Sequence, residues 1–482
     1  MVKGQGLPLQ LFLDAATTIP AYADFLKKSG FDANTVESLD DFQRVPLTSK
    51  KTYLTHYQHK DLMWPADVRK TVLYCATSGS TGEPYYFPRN EALSQQYATV
   101  IKEYLRYSSA GTGSTLVLIG FGMGVWIGGV ITLRAFEIAG EESDTPLAIL
   151  PVGYNKTELF KALRKLAPEY DQTIIIGYPP FVKEVVDEAP AEHIDLKKLH
   201  VRFFFAAEAF TETFRNYLCK QAGVGDPLRD TLNVYGTADI GAMAYETPLS
   251  ILVRRLAIED PMLFKEIFGQ IEKTPTLAQY NPKFMHFEQI DGQIVLTGNG
   301  ALPLIRYAVG DHGGVLTYAQ MRSILHRYMI DLDTEAEKAG IADFVHHWPF
   351  VFVYERADLA ATLQGIIIYP EFIKEGLMVE GMPANFTERF TMSTKNDAYH
   401  NQFLQVNLEL QKGLEPTKDL QTKALKQIRQ SLIAKSSEFA EVSKSKASGT
   451  LLQIVLWPNG HPRYFAPGTK QKWVEKPPTP VQ

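Results

Sequence analysis

The sequence predicts an α/β protein. A large N-terminal domain of packed mixed and parallel sheets with helices carries a small antiparallel sheet or barrel, and a small α+β domain follows. Three observations predict this. Amphipathic helical segments alternate with short apolar runs through the first half of the chain. From about Gly292 the texture changes to strand-like pieces separated by Gly-Asp and Gly-Gly pairs. Over 482 residues, 45% are hydrophobic and 21% charged, so an ample core can be buried without a metal or disulfide staple.

The helical period is plain in Arg89 to Tyr107. There Leu93, Tyr97, Val100, Ile101, Tyr104 and Leu105 fall on one face, and Leu159, Phe160, Leu163 and Leu166 repeat the pattern in Thr157 to Leu166. Between such helices lie Thr115 to Ile119, Leu147 to Val152, Thr173 to Ile176, Val201 to Phe205 and Leu232 to Tyr235. Runs this short, β-branched or aromatic and bounded by Gly, Pro or Asp, are read as buried strands. Alternation of this kind implies crossover connections in a layered α/β domain. Further on, Gln293 to Thr297, Leu304 to Val309, Val315 to Tyr318 and Phe350 to Tyr354 are expected as strands. Beyond Arg356 come a strand at Gly365 to Tyr369, a helix from Pro370 and an alternating strand at Phe403 to Leu410. A long helix marked by Leu420, Leu425, Ile428 and Leu432 and a last strand at Leu451 to Trp457 complete the small domain.

Composition excludes several functions. A net charge of -5 offers no basic face for nucleic acid. Cys75 and Cys219 lie far apart with no CxxC spacing, which argues against a disulfide framework or thiolate metal site and fits a reducing compartment. Met1 to Pro20 lacks the charged, apolar and small-residue regions of a signal peptide, so a cytoplasmic protein is expected. Ser114 to Leu133 carries no charge and is long enough to span a bilayer, but five glycines interrupt it. The expectation is a buried strand, a glycine-rich turn and a buried helix from near Val125, with no membrane partner. His346 and His347 are adjacent; neighbours on a strand face opposite ways, so joint metal ligation is not expected. No G-x-S-x-G nucleophile elbow is present.

The segment Thr77-Ser78-Gly79-Ser80-Thr81-Gly82-Glu83-Pro84 follows an apolar run, Thr71 to Cys75, and precedes the helix opening near Arg89. Small hydroxyl residues interleaved with glycines suit a loop that wraps phosphate oxygens, because backbone N–H groups and hydroxyls replace water there. It is not a Walker A loop, since the terminal Gly-Lys-Ser/Thr is missing. A plain Ser/Gly linker is the alternative reading of this segment alone.

The loop resembles the phosphate signature T-S-G-S/T-T-G-x-P of the adenylate-forming superfamily, and later landmarks follow in that superfamily's order. Ala206-Ala207-Glu208 resembles its adenine-contacting segment. Tyr235-Gly236-Thr237-Ala238-Asp239 resembles Tyr-Gly-x-Thr/Ser-Glu, with Asp in place of Glu. Arg306-Tyr307 with Gly310-Asp311 resembles R-Y-x-x-G-D. Arg356-Ala357-Asp358, with Gly365 to Pro370 after it, resembles the hinge and the strand beyond it. In style the chain resembles the phenylacetate–CoA ligases and the capsule-associated ligase-like proteins, although the cysteine-rich metal insertion that some phenylacetate–CoA ligase relatives carry is missing from Ala244 to Ile290. The markers run from Thr77 to about Lys472, nearly the whole chain.

The resemblance implies an ATP-dependent, AMP-forming acid ligase with a large adenylation domain (1–355) and a mobile C-terminal lid (356–482) hinged at Asp358. It implies that Thr77 to Gly82, Ala207, Glu208, Tyr235, Gly236, Asp311 and Arg356 bind the nucleotide. Thr237 and Asp239 would be catalytic, Asp239 also helping to hold Mg²⁺. The terminal lysine would be Lys470, favoured narrowly, or Lys472. Phe121, Trp126, Gly177 and Tyr178 are the candidates for the acid pocket. ATP and Mg²⁺ are implied, with a small carboxylic acid as substrate and coenzyme A as acceptor. An amine or carrier-protein acceptor and a nucleotide-binding protein without catalysis stay open at this stage. A homodimer or a carrier protein as partner is open as well.

Overall fold

The computed structural model describes residues 6–70, 72–76, 85–124, 127–269, 274–354, 361–379, 381–444, 450–465 and 474. They group into two compact units. One spans the chain to Gly177 and again Val185–Tyr354; the other holds Tyr178–Glu184 and the residues from 361 on.

The first unit begins with helices Leu7–Thr18 and Pro20–Lys28, which the sequence reading did not single out. A hairpin follows, β1 (Leu73–Ala76) against β2 (Tyr86–Arg89), paired antiparallel with Ala76 opposite Tyr86. β2, which the sequence did not suggest, thus stands between the Ser/Gly segment and the helix expected near Arg89. Tyr86 and Phe87 favour extended backbone, and Asn90 caps the helix Glu91–Arg106 by accepting from the Leu93 N–H.

Strands β3 (Thr115–Ile119), β4 (Leu147–Pro151), β5 (Gln172–Gly177), β6 (Val201–Ala206) and β7 (Thr231–Thr237) are mutually parallel. Apart from β4, each is buried along most of its length, as continuous apolar runs require when helices cover both faces. The strands β8 (Gly241–Tyr245), β9 (Thr276–Gln279), β10 (Met285–Ile290), β11 (Gln293–Gly298), β12 (Leu304–Leu316) and β13 (Phe350–Tyr354) are antiparallel to their neighbours. The antiparallel region expected from Gly292 is thus present, and it is hydrogen-bonded into the same 11-stranded sheet, ordered β10-β11-β12-β13-β9-β8-β7-β6-β5-β3-β4.

The two strands expected at Leu304 to Val309 and Val315 to Tyr318 are one, because Gly310-Asp311 and Gly313-Gly314 do not turn the chain. Instead β12 changes partner: β11 pairs with its first part, and from His312 onward β13 also pairs with it. Glycine lets the backbone bend through this handover without leaving the sheet. Alternation along β13 divides two cores. Val351 and Val353 pack with the N-terminal helices, whereas Phe350, Phe352 and Tyr354 pack with helices Pro248–Glu259, Pro261–Phe268 and Tyr318–Arg327.

The glycine-rich stretch is close packing, and among the described residues no helix is long and apolar enough to cross a membrane. A Cβ at Gly129 would stand 2.4 Å from the Gly122 carbonyl oxygen, so helix Ile127–Glu141 closes directly on the turn after β3. His346 and His347 precede β13 and lie on no strand, so the strand alternation expected for them does not apply. His346 stacks on Trp348 at 4.0 Å, and His347 stacks on Tyr318 at 4.4 Å. Both cysteines are buried and unpaired.

A buried ion network underpins β7. Arg215 donates to both oxygens of Glu212 at 3.1 Å and of Glu246 at 2.8 Å. Arg254 also pairs with both carboxylates, and Arg255 adds a 2.8 Å bond to Glu212. Arg215 and Arg254 are fully buried and lie over the Phe210 ring. Arg215 further bonds Thr231 at the start of β7, and the Glu246 N–H donates to the Asn233 carbonyl at 2.8 Å.

The second unit contains a small hairpin, β14 (Ala361–Leu363) with β15 (Ile366–Ile368). Its main sheet has β16 (Phe386–Asn396) antiparallel to β17 (Gln402–Leu410), which is parallel to β18 (Leu452–Trp457). Helix Pro370–Leu377 and the long helix Lys418–Lys435 pack with it, the latter through Ala424, Ile428 and Leu432.

Burial pushes the Glu212 pKa up, but Arg215, Arg254 and Arg255 more than offset this and hold the carboxylate well below its ordinary range. The stability it contributes is present above the ordinary value of 4.5 and is lost as pH falls below it. Glu212→Gln leaves buried guanidinium groups short of a partner. It is expected to cost about 3 kcal/mol by urea unfolding at neutral pH, with a smaller loss than the parent protein on acidification.

Candidate active site

The site is assembled at the carboxyl ends of the parallel strands, where open α/β sheets place ligands. Gly177 ends β5, Ala206 ends β6 and leads into Ala207-Glu208, and Thr237 ends β7. Phe121 follows β3 and is buried. Tyr178, one residue beyond Gly177, belongs to the second unit, where its ring lies against Gly365.

Ala207 has φ of 73°, a left-handed conformation that costs a side-chain-bearing residue about 1–2 kcal/mol. Asn233 holds the strained turn, since its Nδ2 donates to the Glu208 carbonyl at 3.0 Å. Asn233 Oδ1 is buried without a partner among the described residues. A buried orphan acceptor beside a strained turn is suited to a donor brought by a ligand.

From β7 the chain turns sharply into β8. A Cβ at Gly236 would stand 2.6 Å from the Gly241 carbonyl oxygen, so only glycine permits this approach. The turn is held from below by Arg89, whose Nη2 donates to the Ile240 carbonyl at 2.9 Å. Arg89 is buried, and desolvation pulls its pKa down to about 10, so it remains charged at neutral pH. Thr237 Oγ1 points to the Met243 sulfur at 3.9 Å.

Two tyrosine–carboxylate bonds then cross between the end of β7 and β12. The Tyr235 hydroxyl donates to Asp311 Oδ2 at 2.7 Å. In the opposite sense, the Tyr307 hydroxyl donates to Asp239 Oδ2 at 2.6 Å. Each segment gives its tyrosine to the other's aspartate. A carboxylate accepts at about four lone-pair positions, so each bond orients its aspartate and leaves it able to accept from a ligand.

Residues from the N-terminal region complete the arrangement. Thr48 forms an isolated parallel bridge with Tyr307. Its N–H donates to the Arg306 carbonyl at 3.0 Å, its carbonyl accepts from Ala308 at 2.8 Å, and its hydroxyl donates to the Ile305 carbonyl at 2.7 Å. Arg306 itself is engaged by protein groups. It pairs with Glu288 at 3.0 Å and donates to the Gln43 and Val45 carbonyls, clamping the N-terminal chain to β12. The clamp sets Lys50 with its Nζ 4.0 Å from Asp239 Oδ1 and 5.6 Å from the Phe87 ring centre. Tyr85 lies in the same neighbourhood: burial raises its pKa, and the Asp239 charge raises it further.

Of the residues expected from the sequence, Ala207, Glu208, Tyr235, Gly236, Thr237, Asp239, Asp311, Gly177 and Phe121 belong to the first unit. Thr77, Ser78, Gly79, Ser80, Thr81, Gly82, Trp126, Arg356, Asp358, Lys470 and Lys472 lie outside the described residues. Lys50, Arg89, Asn233 and the Tyr307 hydroxyl were not anticipated. Asn233 was detectable as a polar residue inside an apolar strand; Lys50 sits in a segment with no local pattern.

No family model and no curated protein sequence matches the chain. Among solved structures it is similar to 2-hydroxyisobutyryl-CoA ligase in complex with 2-HIB-AMP and CoA in the thioesterification state. The TM-score is 0.64 at 17% identity, covering 97% of this chain and 87% of that one. An open conformation of that ligase with 2-HIB-AMP and CoA gives 0.53 at 16% identity, covering 97% and 90%. Its postadenylation state with R3-HIB-AMP gives 0.52 at 15%, covering 97% and 88%. This chain has the mixed α/β fold of that CoA ligase.

Removing the Tyr307 hydroxyl by Tyr307→Phe is expected to destabilise the protein by about 1.5–3 kcal/mol, the worth of a hydrogen bond to a charged group, read by chemical unfolding. Ala207→Gly relieves the left-handed strain and is expected to raise stability by about 1 kcal/mol. An unchanged melting temperature would show that the turn is not strained.

Proposed function

We propose that this chain uses ATP to convert a small carboxylic acid to an acyl-adenylate and then transfers the acyl group to coenzyme A. One observation carries the reading. Ala207, Glu208, Asn233, Tyr235, Asp239 and Asp311 are organised around the ends of β6 and β7, in a chain whose fold over 97% of its length is that of a ligase solved with an acyl-AMP and CoA.

In the first step a carboxylate oxygen of the acid attacks the α-phosphorus of ATP. The bond to the bridging oxygen breaks, and pyrophosphate leaves with the electron pair. In the second, the thiol of coenzyme A attacks the acyl carbonyl and AMP leaves. The adenine would rest by Ala207-Glu208, its amino group donating to Asn233 Oδ1. Asp311, oriented by Tyr235, would accept the ribose hydroxyls. Thr77 to Gly82 would cradle the triphosphate, with Arg356 nearby. Lys470 or Lys472 would neutralise charge growing at the α-phosphate. Phe121, Trp126, Gly177 and Tyr178 would border the acid, and Asp358 would mark the hinge between an adenylation domain (1–355) and a lid (356–482).

Magnesium fits this donor set. Among the described residues no group of three or more His, Cys, Asp or Glu could hold a metal. Mg²⁺ in nucleotide sites takes one or two carboxylates and completes its shell with water and phosphate oxygens, and Asp239 supplies one such carboxylate. When bound, the ion would neutralise charge on the β- and γ-phosphates. Two buried free cysteines suit a cytoplasmic setting.

The deciding measurement is carboxylate-dependent exchange of labelled pyrophosphate into ATP across a panel of small acids. Exchange is expected, and Lys470→Ala or Lys472→Ala should reduce it about 100-fold or more, as loss of a transition-state charge contact does. Adding CoA should then release AMP. Exchange without CoA-dependent release would move the acceptor to an amine or a carrier-protein thiol. No exchange with any acid would reduce the chain to a nucleotide-binding protein.

A further inference from the structure

We propose that Lys50 is a phosphate-binding residue of this site, holding the polyphosphate end of a nucleoside triphosphate and, after cleavage, inorganic pyrophosphate. The inference rests on the nucleotide-site reading above and adds a ligand contact from a part of the chain that no signature motif covers.

The first reason is charge. A triphosphate bound beside Asp239 and Asp311 meets two carboxylates, so cations must be close for binding to be favourable. Two described cations stand at the Asp239 turn. Arg89 is buried and already donates to the Ile240 carbonyl. Lys50 is different, with its side chain 38% exposed and its Nζ beside a carboxylate that is 11% exposed.

The second reason is construction. Lys50 lies two residues after Thr48, which is 1% exposed and bonded through N–H, carbonyl and hydroxyl to Arg306, Ala308 and Ile305 of β12. Ser49 closes the next turn, its hydroxyl 2.8 Å from that of Thr52 and accepting from the Thr52 N–H at 3.0 Å. The backbone beneath Lys50 is thus fixed on the strand that carries both Tyr307 and Asp311. The ammonium stands over Phe87, on the strand by which the chain leaves the Ser/Gly segment. A compact ammonium on a flexible stem above a rigid base is suited to a phosphate group.

The third reason is that stability does not account for the placement. A 4.0 Å pair with a partly exposed lysine contributes little, far less than the Thr48 and Arg306 contacts that hold the segment. Lys50 also belongs to the same compact unit as Asp239 and Asp311. Its charge is therefore part of the site independently of any lysine in the second unit.

The test compares the full chain with Lys50→Gln, Lys50→Arg and, as control, the exposed neighbour Lys51→Gln. Binding of Mg·ATP and of inorganic pyrophosphate is measured by calorimetry, alongside the ATP KM and kcat of exchange and thermal melting. Lys50→Gln is expected to weaken both ligands about 10-fold, the loss of one charge-assisted contact, with the effect mainly in KM and an unchanged melting temperature. Lys50→Arg should recover most of the affinity, and Lys51→Gln should match the parent. Lys50→Gln binding ATP and pyrophosphate as tightly as the parent overturns the proposal while leaving the site reading intact. Equal weakening by Lys50→Arg and Lys50→Gln with a lowered melting temperature makes Lys50 structural and also overturns it. A parent protein that binds no ATP overturns the site reading, and this proposal with it.

Discussion

The crossed tyrosine–aspartate bonds are the constraint on which the rest of the site depends. Tyr235 reaches Asp311 and Tyr307 reaches Asp239, so two segments far apart in the chain are tied twice, in opposite senses. A single bond of this kind could pivot; two bonds with reversed donors fix the approach of β7 to β12.

The bonds hold only if both strands are anchored, and the two anchors are made of different materials. Under β7 lies the Arg215, Arg254, Glu212 and Glu246 network, almost fully dry, where every charge has opposite partners. At β12 the anchor is mostly neutral backbone. Thr48 extends the strand edge by one bridge, and Arg306 gathers the Gln43 and Val45 carbonyls. Losing one member of a buried charge cluster is severe because the others keep their desolvation cost. By contrast, the Lys50–Asp239 pair sits at the solvent boundary, where screening weakens it. That contrast separates charges that build the scaffold from a charge that is available to a ligand.

Much of this was legible locally. The parallel strands were found within a residue or two, since buried β-branched runs have few other uses in an α/β chain. Other readings failed where a neighbour decided the outcome. Gly310-Asp311 looked like a turn, but β12 runs straight through it because β13 takes over as partner. The helix expected near Arg89 is present at Glu91–Arg106, but β2 before it was missed, because its pairing with β1 cannot be seen in either strand alone.

By itself the sequence determined the α/β class and the places of the parallel strands, because those follow from periodicity and composition along the chain. Only the tertiary structure decided which tyrosine faces which aspartate, that Arg306 clamps backbone, and that Lys50 stands at Asp239. Those relations join residues that are remote in sequence. They depend on how strands exchange partners and how the N-terminal segment docks, and no local propensity encodes either.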